Sequence, residues 1–300
     1  MANQISIIVP CYNSAETIKK CISHIQQSLQ NYDDNIDYKL IVVNDGSQDN
    51  TANILKTIDG ITVITHEKNR GLSCARNSGI KNQDSEYLVF IDSDIFVLPD
   101  WFTIMLNYIK QNSNVIGVTG NLLLPKGKND SPLDSYLFSS YRGAKNIDNN
   151  VPLSYKWFVF SNTIIKTSIL QSIDFFDETL EKYGGEDTEM AIRINNKYPD
   201  AMRKINKALA YHYANKTLTQ YLNNMFEYGK YNFPKIIKKH PNYKNDLGHK
   251  MIGSIWGYFL FNPCSRFKVR ILQKMFQHPL LTKFLVIDSF IKGAREGLEN

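Results

Sequence analysis

Two carboxylates stand one residue apart at Asp92 and Asp94, with Ser93 between them, directly after the apolar run Tyr87–Ile91. Such a run reads as a strand buried on both faces, so the carboxylates fall where that strand ends. In open α/β sheets this edge is where ligands bind. Paired oxygen donors suit a hard divalent cation whose remaining partners are phosphate oxygens. A surface turn would use the same residue types, and the triplet alone does not separate the two readings.

Its company does. An earlier β-branched run ends in Pro10-Cys11-Tyr12-Asn13, and a second ends in Asn44-Asp45-Gly46-Ser47. A third run is followed by Asn69-Arg70-Gly71 and then Ala75-Arg76-Asn77. In a parallel sheet these ends share one edge, and together they describe a pocket for a polar aromatic ligand that bears phosphate. Further along, Gly184-Gly185-Glu186-Asp187 opens a helical pattern, where carboxylates also serve the helix dipole as caps. Late in the chain His212 lies between two tyrosines at the end of a short apolar run, a setting in which a structural histidine is common.

The elements that must position these groups alternate. Strands are expected near residues 5–9, 40–43, 61–65, 87–91, 115–119 and 158–165. Helices are expected near 13–29, 51–58, 71–79, 100–111, 186–197 and 218–239. Asn13 and Glu16 are spaced as a capping box for the first helix. This order implies an α/β fold with a mostly parallel sheet and right-handed crossovers. Residues 125–155, rich in Lys, Asn, Asp, Ser and Pro, read as a long functional loop with some helix around 134–142.

The ordered motifs resemble family 2 of the inverting glycosyltransferases, of the bacterial surface-polysaccharide type, whose fold is GT-A. The resemblance covers about residues 4–215 and runs through the Val9–Asn13 strand end, Asp45-Gly46-Ser47, Asn69–Gly71 with Ala75–Gly79, Asp92–Asp94 and Glu186-Asp187. It implies that Pro10 and Tyr12 flank a nucleotide base and that Asp45 bonds its ring N–H. Asn13, Gly71, Arg76, Asp92 and Ser93 would complete the nucleotide-sugar site, with Arg76 near the nucleotide or its phosphates. Asp94, His212 and Asp92 would hold Mn²⁺ or Mg²⁺. Asp187, with Glu186 beside it, would be the general base. Where the family places its first acidic residue this chain has Asn44, which removes one charge. The implied donor is a nucleotide-diphosphate sugar, expected to be UDP-linked, and the acceptor is a glycan or lipid-linked saccharide. The resemblance divides the chain into a GT-A catalytic domain at 1–215 (nucleotide-binding half 1–120, acceptor half 121–215) and a helical extension at 216–300.

Other readings are a sugar nucleotidyltransferase, or a nucleotide-sugar-binding or scaffolding relative without turnover. The first wants a glycine-rich, lysine-bearing phosphate loop that residues 11–18 do not offer. The second would have lost Asp94 or Asp187. No Gly-x-Gly-x-x-Gly follows the first strand, which excludes a dinucleotide oxidoreductase.

With 43% hydrophobic and 21% charged residues, the 300-residue chain has an ordinary globular composition. Its net charge of +6 is unevenly spread. Residues 1–200 carry 18 Lys and Arg against 24 Asp and Glu, whereas residues 201–300 carry 17 against 5. The basic, aromatic last third points to an anionic membrane surface as partner. Nucleic acid is not expected, since no nucleic-acid-binding motif accompanies the charge. Cys11, Cys21, Cys74 and Cys264 fall in no metal-ligand spacing and read as reduced thiols. With no signal-peptide pattern in residues 1–10 and no spanning apolar stretch, the expected location is cytoplasmic, at the inner face of the membrane.

Overall fold

The computed structural model describes residues 4–32, 36–125, 127, 131–142, 147, 151–213 and 216–299. Much of the 125–155 loop expectation therefore lies outside the described residues. The chain divides into two units, one of residues 1–126, 146–178 and 186–214, the other of residues 127–145, 179–185 and 215–300.

The first unit is built on strands β1 (Ile5–Cys11), β2 (Tyr38–Asn44), β3 (Thr62–Thr65), β4 (Tyr87–Ile91), β5 (Ile95–Val97), β6 (Gly117–Leu123), β7 (Asn162–Lys166) and β8 (Met202–His212). They form one sheet in the order β3-β2-β1-β4-β7-β6-β8-β5. The half from β3 to β4 is parallel throughout. In the other half β6 and β8 run parallel, while β7 and β5 pair antiparallel with their neighbours. Every residue of β1 and β4 is buried, as runs of continuous β-branched and aromatic residues require when helices cover both faces.

Helices α1 (Ile18–Gln30), α2 (Thr51–Leu55), α3 (Leu72–Lys81) and α4 (Trp101–Gln111) connect the strands. The apolar residues of α1 (Ile18, Cys21, Ile22, Ile25, Leu29) recur every three or four positions and enter one core with those of α4 (Trp101, Phe102, Met105, Leu106, Ile109). Each such side chain contributes roughly 1.5–3 kcal/mol on burial. On α3, Gly79 lets the helix press onto β1, because a Cβ there would lie 2.5 Å from Ile8 Cγ2.

Three local expectations are corrected. The Asn13–Glu16 capping box does not form, and α1 begins only at Ile18, with no side-chain cap on Thr17. Asn13 instead takes a left-handed conformation, φ 49°, and accepts a hydrogen bond from the Gln48 amide at 2.8 Å. Asparagine tolerates that conformation better than most residues. The strand expected over 158–165 begins only at Asn162, because Phe158 and Phe160 leave the sheet to build an edge-to-face aromatic cluster with Phe90 and Phe176. The strand expected over 115–119 is displaced to Gly117–Leu123.

The second unit contains α5 (Pro132–Leu137), the helical part expected in the long loop. The first unit's α6 (Thr167–Ser172) and α7 (Glu186–Lys197) precede the second unit's α8 (Leu218–Glu227). A π-helical turn (Tyr228–Asn232) then leads into α9 (Phe233–Lys239), followed by α10 (His249–Gly253), α11 (Ile255–Leu260), α12 (Pro263–Phe276) and α13 (Pro279–Leu298). Helix α13 lies against α8 and the π turn at backbone distance. A Cβ on Gly293 would meet the Phe226 carbonyl, and one on Gly229 the Phe290 carbonyl. No helix among the described residues is long and apolar enough to cross a membrane.

In the first unit Trp101 Nε1 donates to Asn162 Oδ1 at 2.6 Å in the core. Asn162→Ala leaves that donor buried and unpaired, at an expected cost of about 2 kcal/mol in chemical denaturation.

Candidate active site

The register of the parallel strands aligns their ends. Cys11 of β1 lies opposite Asn44 of β2, which lies opposite Thr65 of β3. The polar clusters that follow are therefore gathered along one edge. Pro10 is buried in its strand, whereas Tyr12 is exposed and free to present a ring to a base. The Ser14 and Ser93 hydroxyls lie 2.8 Å apart and tie the end of β1 to the Asp-x-Asp turn.

Asp45 is drawn inward. Its Oδ1 meets His66 Nδ1 at 2.6 Å and accepts from the Arg70 amide at 2.9 Å. Oδ2 accepts from the Gly71 amide at 2.9 Å. His66 is held from its other side by Ser78 Oγ at 2.9 Å. Asp45 thus fastens the segment between β3 and α3, and what it offers a base is a remaining lone pair on a carboxylate anchored from two sides. Gly46, at φ +68°, has no room for a side chain, since a Cβ would lie 2.3 Å from the Lys68 backbone.

Arg76 is the hub. Its side chain is 1% exposed, one turn into α3, beneath the edge rather than on it. Nη1 donates to Asp187 Oδ1 at 2.6 Å, and Nη2 to Asp92 Oδ1 at 3.2 Å. The guanidinium lies 5.2 Å from the Phe176 ring centroid and 6.0 Å from that of Phe160, within cation–π range. Burial works against its charge, but Asp187 and then Asp92 and Glu186 outweigh that and raise its pKa. The arginine expected near the nucleotide or its phosphates bridges two carboxylates, one from the Asp-x-Asp turn and one from the first turn of α7.

Those carboxylates differ in their other partners. Asp187 Oδ2 accepts from the Phe160 amide at 3.2 Å, so both its oxygens are fixed in direction. Burial pushes the Asp92 carboxyl up, an effect Arg76 opposes and Asp94 reinforces. Glu186 is pushed up to about 7, first by burial and then by the charge of Asp187.

Asp94 and His212 meet because β5 pairs with β8, with Ile95 opposite His212. The His212 Nε2 lies 3.3 Å from Asp94 Oδ2, and Asp94's carbonyl accepts from the Tyr213 amide at 2.8 Å. No group of three or more His, Cys, Asp or Glu residues that could hold a metal occurs among the described residues. One carboxylate and one imidazole nonetheless form the mixed oxygen and nitrogen set that Mn²⁺ accepts, with ligand oxygens or water filling the rest.

Several members of this edge gave no signal by residue type. His66 could have been found only from its place just after β3. Glu178 accepts from Asn77 Nδ2 at 2.9 Å and lies 3.7 Å from Arg70. Phe160 and Phe176 were unmarked. Cys11, Cys21 and Cys74 are buried free thiols and Cys264 is exposed; burial pushes Cys11 up to about 12.

Residues 6–173 match the family model described as Glycosyl transferase family 2. A poly-beta-1,6-N-acetyl-D-glucosamine synthase of Staphylococcus epidermidis is 35% identical over 132 residues, 43% of this chain and 30% of that protein. The chain thus spans less than a third of that relative's length. Among solved structures, S. aureus TarS 1–349 in complex with UDP-GlcNAc superposes with a TM-score of 0.53 at 14% identity, over 97% of this chain and 89% of that one. A mannosyltransferase from Pyrobaculum calidifontis in complex with GDP-Man and Mn²⁺ gives 0.60 at 14% identity, over 98% and 86%. At such identities the likeness is one of fold, and that fold is GT-A.

Replacing Arg76 by Ala strands two carboxylates in a pocket built around its charge. The expected loss is about 3 kcal/mol in urea-induced unfolding. Arg76→Lys should recover only part of it, because an ammonium lacks the planar fork that reaches both partners.

Proposed function

The chain belongs to glycosyl transferase family 2, and from that premise we propose that it is an inverting glycosyltransferase using a nucleotide-diphosphate sugar. The observation that carries this reading is the Arg76 bridge, which brings the Asp-x-Asp turn and Asp187 to one guanidinium. The donor is read as UDP-linked and the transferred group as a hexosyl or N-acetylhexosaminyl unit. Support comes from the TarS complex with UDP-GlcNAc and from the name of the staphylococcal synthase. The acceptor is read as a hydroxyl of a glycan or lipid-linked saccharide.

In this reading Tyr12 supports the base and Asp45 takes its ring N–H. Asp187 is the general base. Each of its oxygens keeps a lone pair beyond the bonds from Arg76 and Phe160, so it takes the acceptor's proton as that oxygen attacks the anomeric carbon. The bond from that carbon to the diphosphate oxygen breaks on the opposite face, and its electron pair leaves with the diphosphate. Asp94 and His212, with Asp92 nearby, would hold Mn²⁺ or Mg²⁺, which when bound supplies positive charge to the leaving diphosphate. Arg76 positions the base and, by binding Asp92 as well, fixes it relative to the Asp-x-Asp turn.

The reading is tested with a panel of nucleotide sugars plus Mn²⁺, scored for slow donor hydrolysis and thermal stabilisation. A true donor at about 100 times its Kd stabilises the fold by ~2.7 kcal/mol. Asp94→Ala should abolish Mn²⁺-dependent stabilisation by UDP as well as transfer, with unchanged melting of the free protein. Full activity in EDTA would remove the metal role of Asp94 and His212 together.

Asp187→Asn keeps the shape and one of the two accepted hydrogen bonds, from Arg76 or from the Phe160 amide, but not the basicity. Donor stabilisation should survive while transfer falls ~10²–10⁴-fold. Equal losses in binding and turnover would make Asp187 a binding residue instead.

A further inference from the structure

The second unit carries an apolar surface that its own packing leaves uncovered. Ile255, Trp256 and Phe259 on α11, and Phe267, Met275 and Phe276 on α12, are each between 65% and 87% exposed. Isolated exposed apolar residues are ordinary, but several large ones on two consecutive helices mark a contact surface. On α12, Phe267, Ile271 and Met275 succeed one another every fourth residue and so share a face. Gln273 is buried and Val269 packs into the unit's core, so the apolar face points away from the protein. Arg266, on the inner side, pairs with Asp288.

The charge carried by this stretch of chain has one sign. No Asp or Glu occurs between Asp246 and Asp288, a stretch that holds Lys250, Arg266, Lys268, Arg270, Lys274 and Lys283. Lys268, Arg270 and Lys274 are exposed beside the apolar residues. Two partners could cover such a face. A second copy would bring the same cations opposite themselves across a two-fold axis, where like charges oppose association. Protein interfaces are also depleted of lysine. An anionic bilayer has the reverse properties, with negative headgroups for the cations and an acyl boundary for the rings.

We propose that α11 and α12 dock the protein in the plane of an anionic lipid surface, with Trp256, Phe259, Phe267 and Met275 entering the headgroup boundary and Lys268, Arg270 and Lys274 meeting lipid phosphates. This docking stands apart from the catalytic reading, and its readout requires no turnover.

The full-length chain is spun with vesicles of phosphatidylcholine alone or mixed with phosphatidylglycerol, at low and high salt. It should pellet with the mixed vesicles ~10-fold more tightly than with the neutral ones, and high salt should weaken this without abolishing it. The triple variant Lys268→Glu, Arg270→Glu, Lys274→Glu should erase the anionic preference. The pair Trp256→Glu, Phe259→Glu should erase the salt-resistant part. All five positions are exposed, so melting temperature should be unchanged in both variants. Absence of pelleting with mixed vesicles at low salt overturns the proposal, as does equal pelleting by the variants. So does a concentration-dependent dimer in sedimentation that the Trp256/Phe259 variant dissolves, if vesicle binding is lacking; the face would then belong to a second copy.

Discussion

One buried cation organises the catalytic edge. Arg76 enters from α3 and ends beside Phe160 and Phe176, with Asp92 on one nitrogen and Asp187 on another. Carboxylates from separate parts of the chain repel at such range, and each pays to leave water. The guanidinium offsets both costs and, being planar and forked, fixes direction as well as charge. The aromatic cluster that displaced the strand expected at 158 has its explanation here, since Phe160 supplies both a face to the cation and an amide to Asp187.

The neighbours of this hub divide the remaining electrostatic work. Glu186 lies next to Asp187 in the partly buried first turn of α7, where burial and then the charge of Asp187 push its carboxyl up to about 7. A carboxyl whose folded pKa is raised costs stability as pH climbs from its ordinary value through the raised one. Asp45 does structural work instead. By accepting from two amides and facing His66 it turns a polar loop into a rigid wall.

Much of the parallel half was legible in the sequence, because β1, β2 and β4 are continuous apolar runs and each ends in a polar cluster. The Asp-x-Asp triplet could be named for the same reason, since it stands where β4 stops, whereas Asp187, at the start of α7, and His212 were singled out by the resemblance to the family's motifs. The other half was less readable. Strand β8 carries Lys204 buried in its interior, with Arg203 and Lys207 beside it, which hides its alternation, and β5 is too short for any period to register. Arg76 could be singled out but not placed, because its surroundings come from Phe160 and Phe176, residues in segments without a repeating pattern. Asn13 was misread as a cap because its left-handed turn is decided by a partner in a distant loop, Gln48.

The pairing of β5 with β8 has a consequence for the order in which the protein can mature. Asp94 is synthesised early, yet the strand that carries His212 to it is the last of the sheet, with β6, β7 and the helices between them lying in the intervening chain. Contacts so far apart in sequence close slowly. A nascent chain thus displays its paired carboxylates well before it owns the imidazole that faces one of them. A slip of one residue in that final strand would turn the ring to the opposite side of the sheet. The register of β8 against β5 is therefore what sets the imidazole against Asp94.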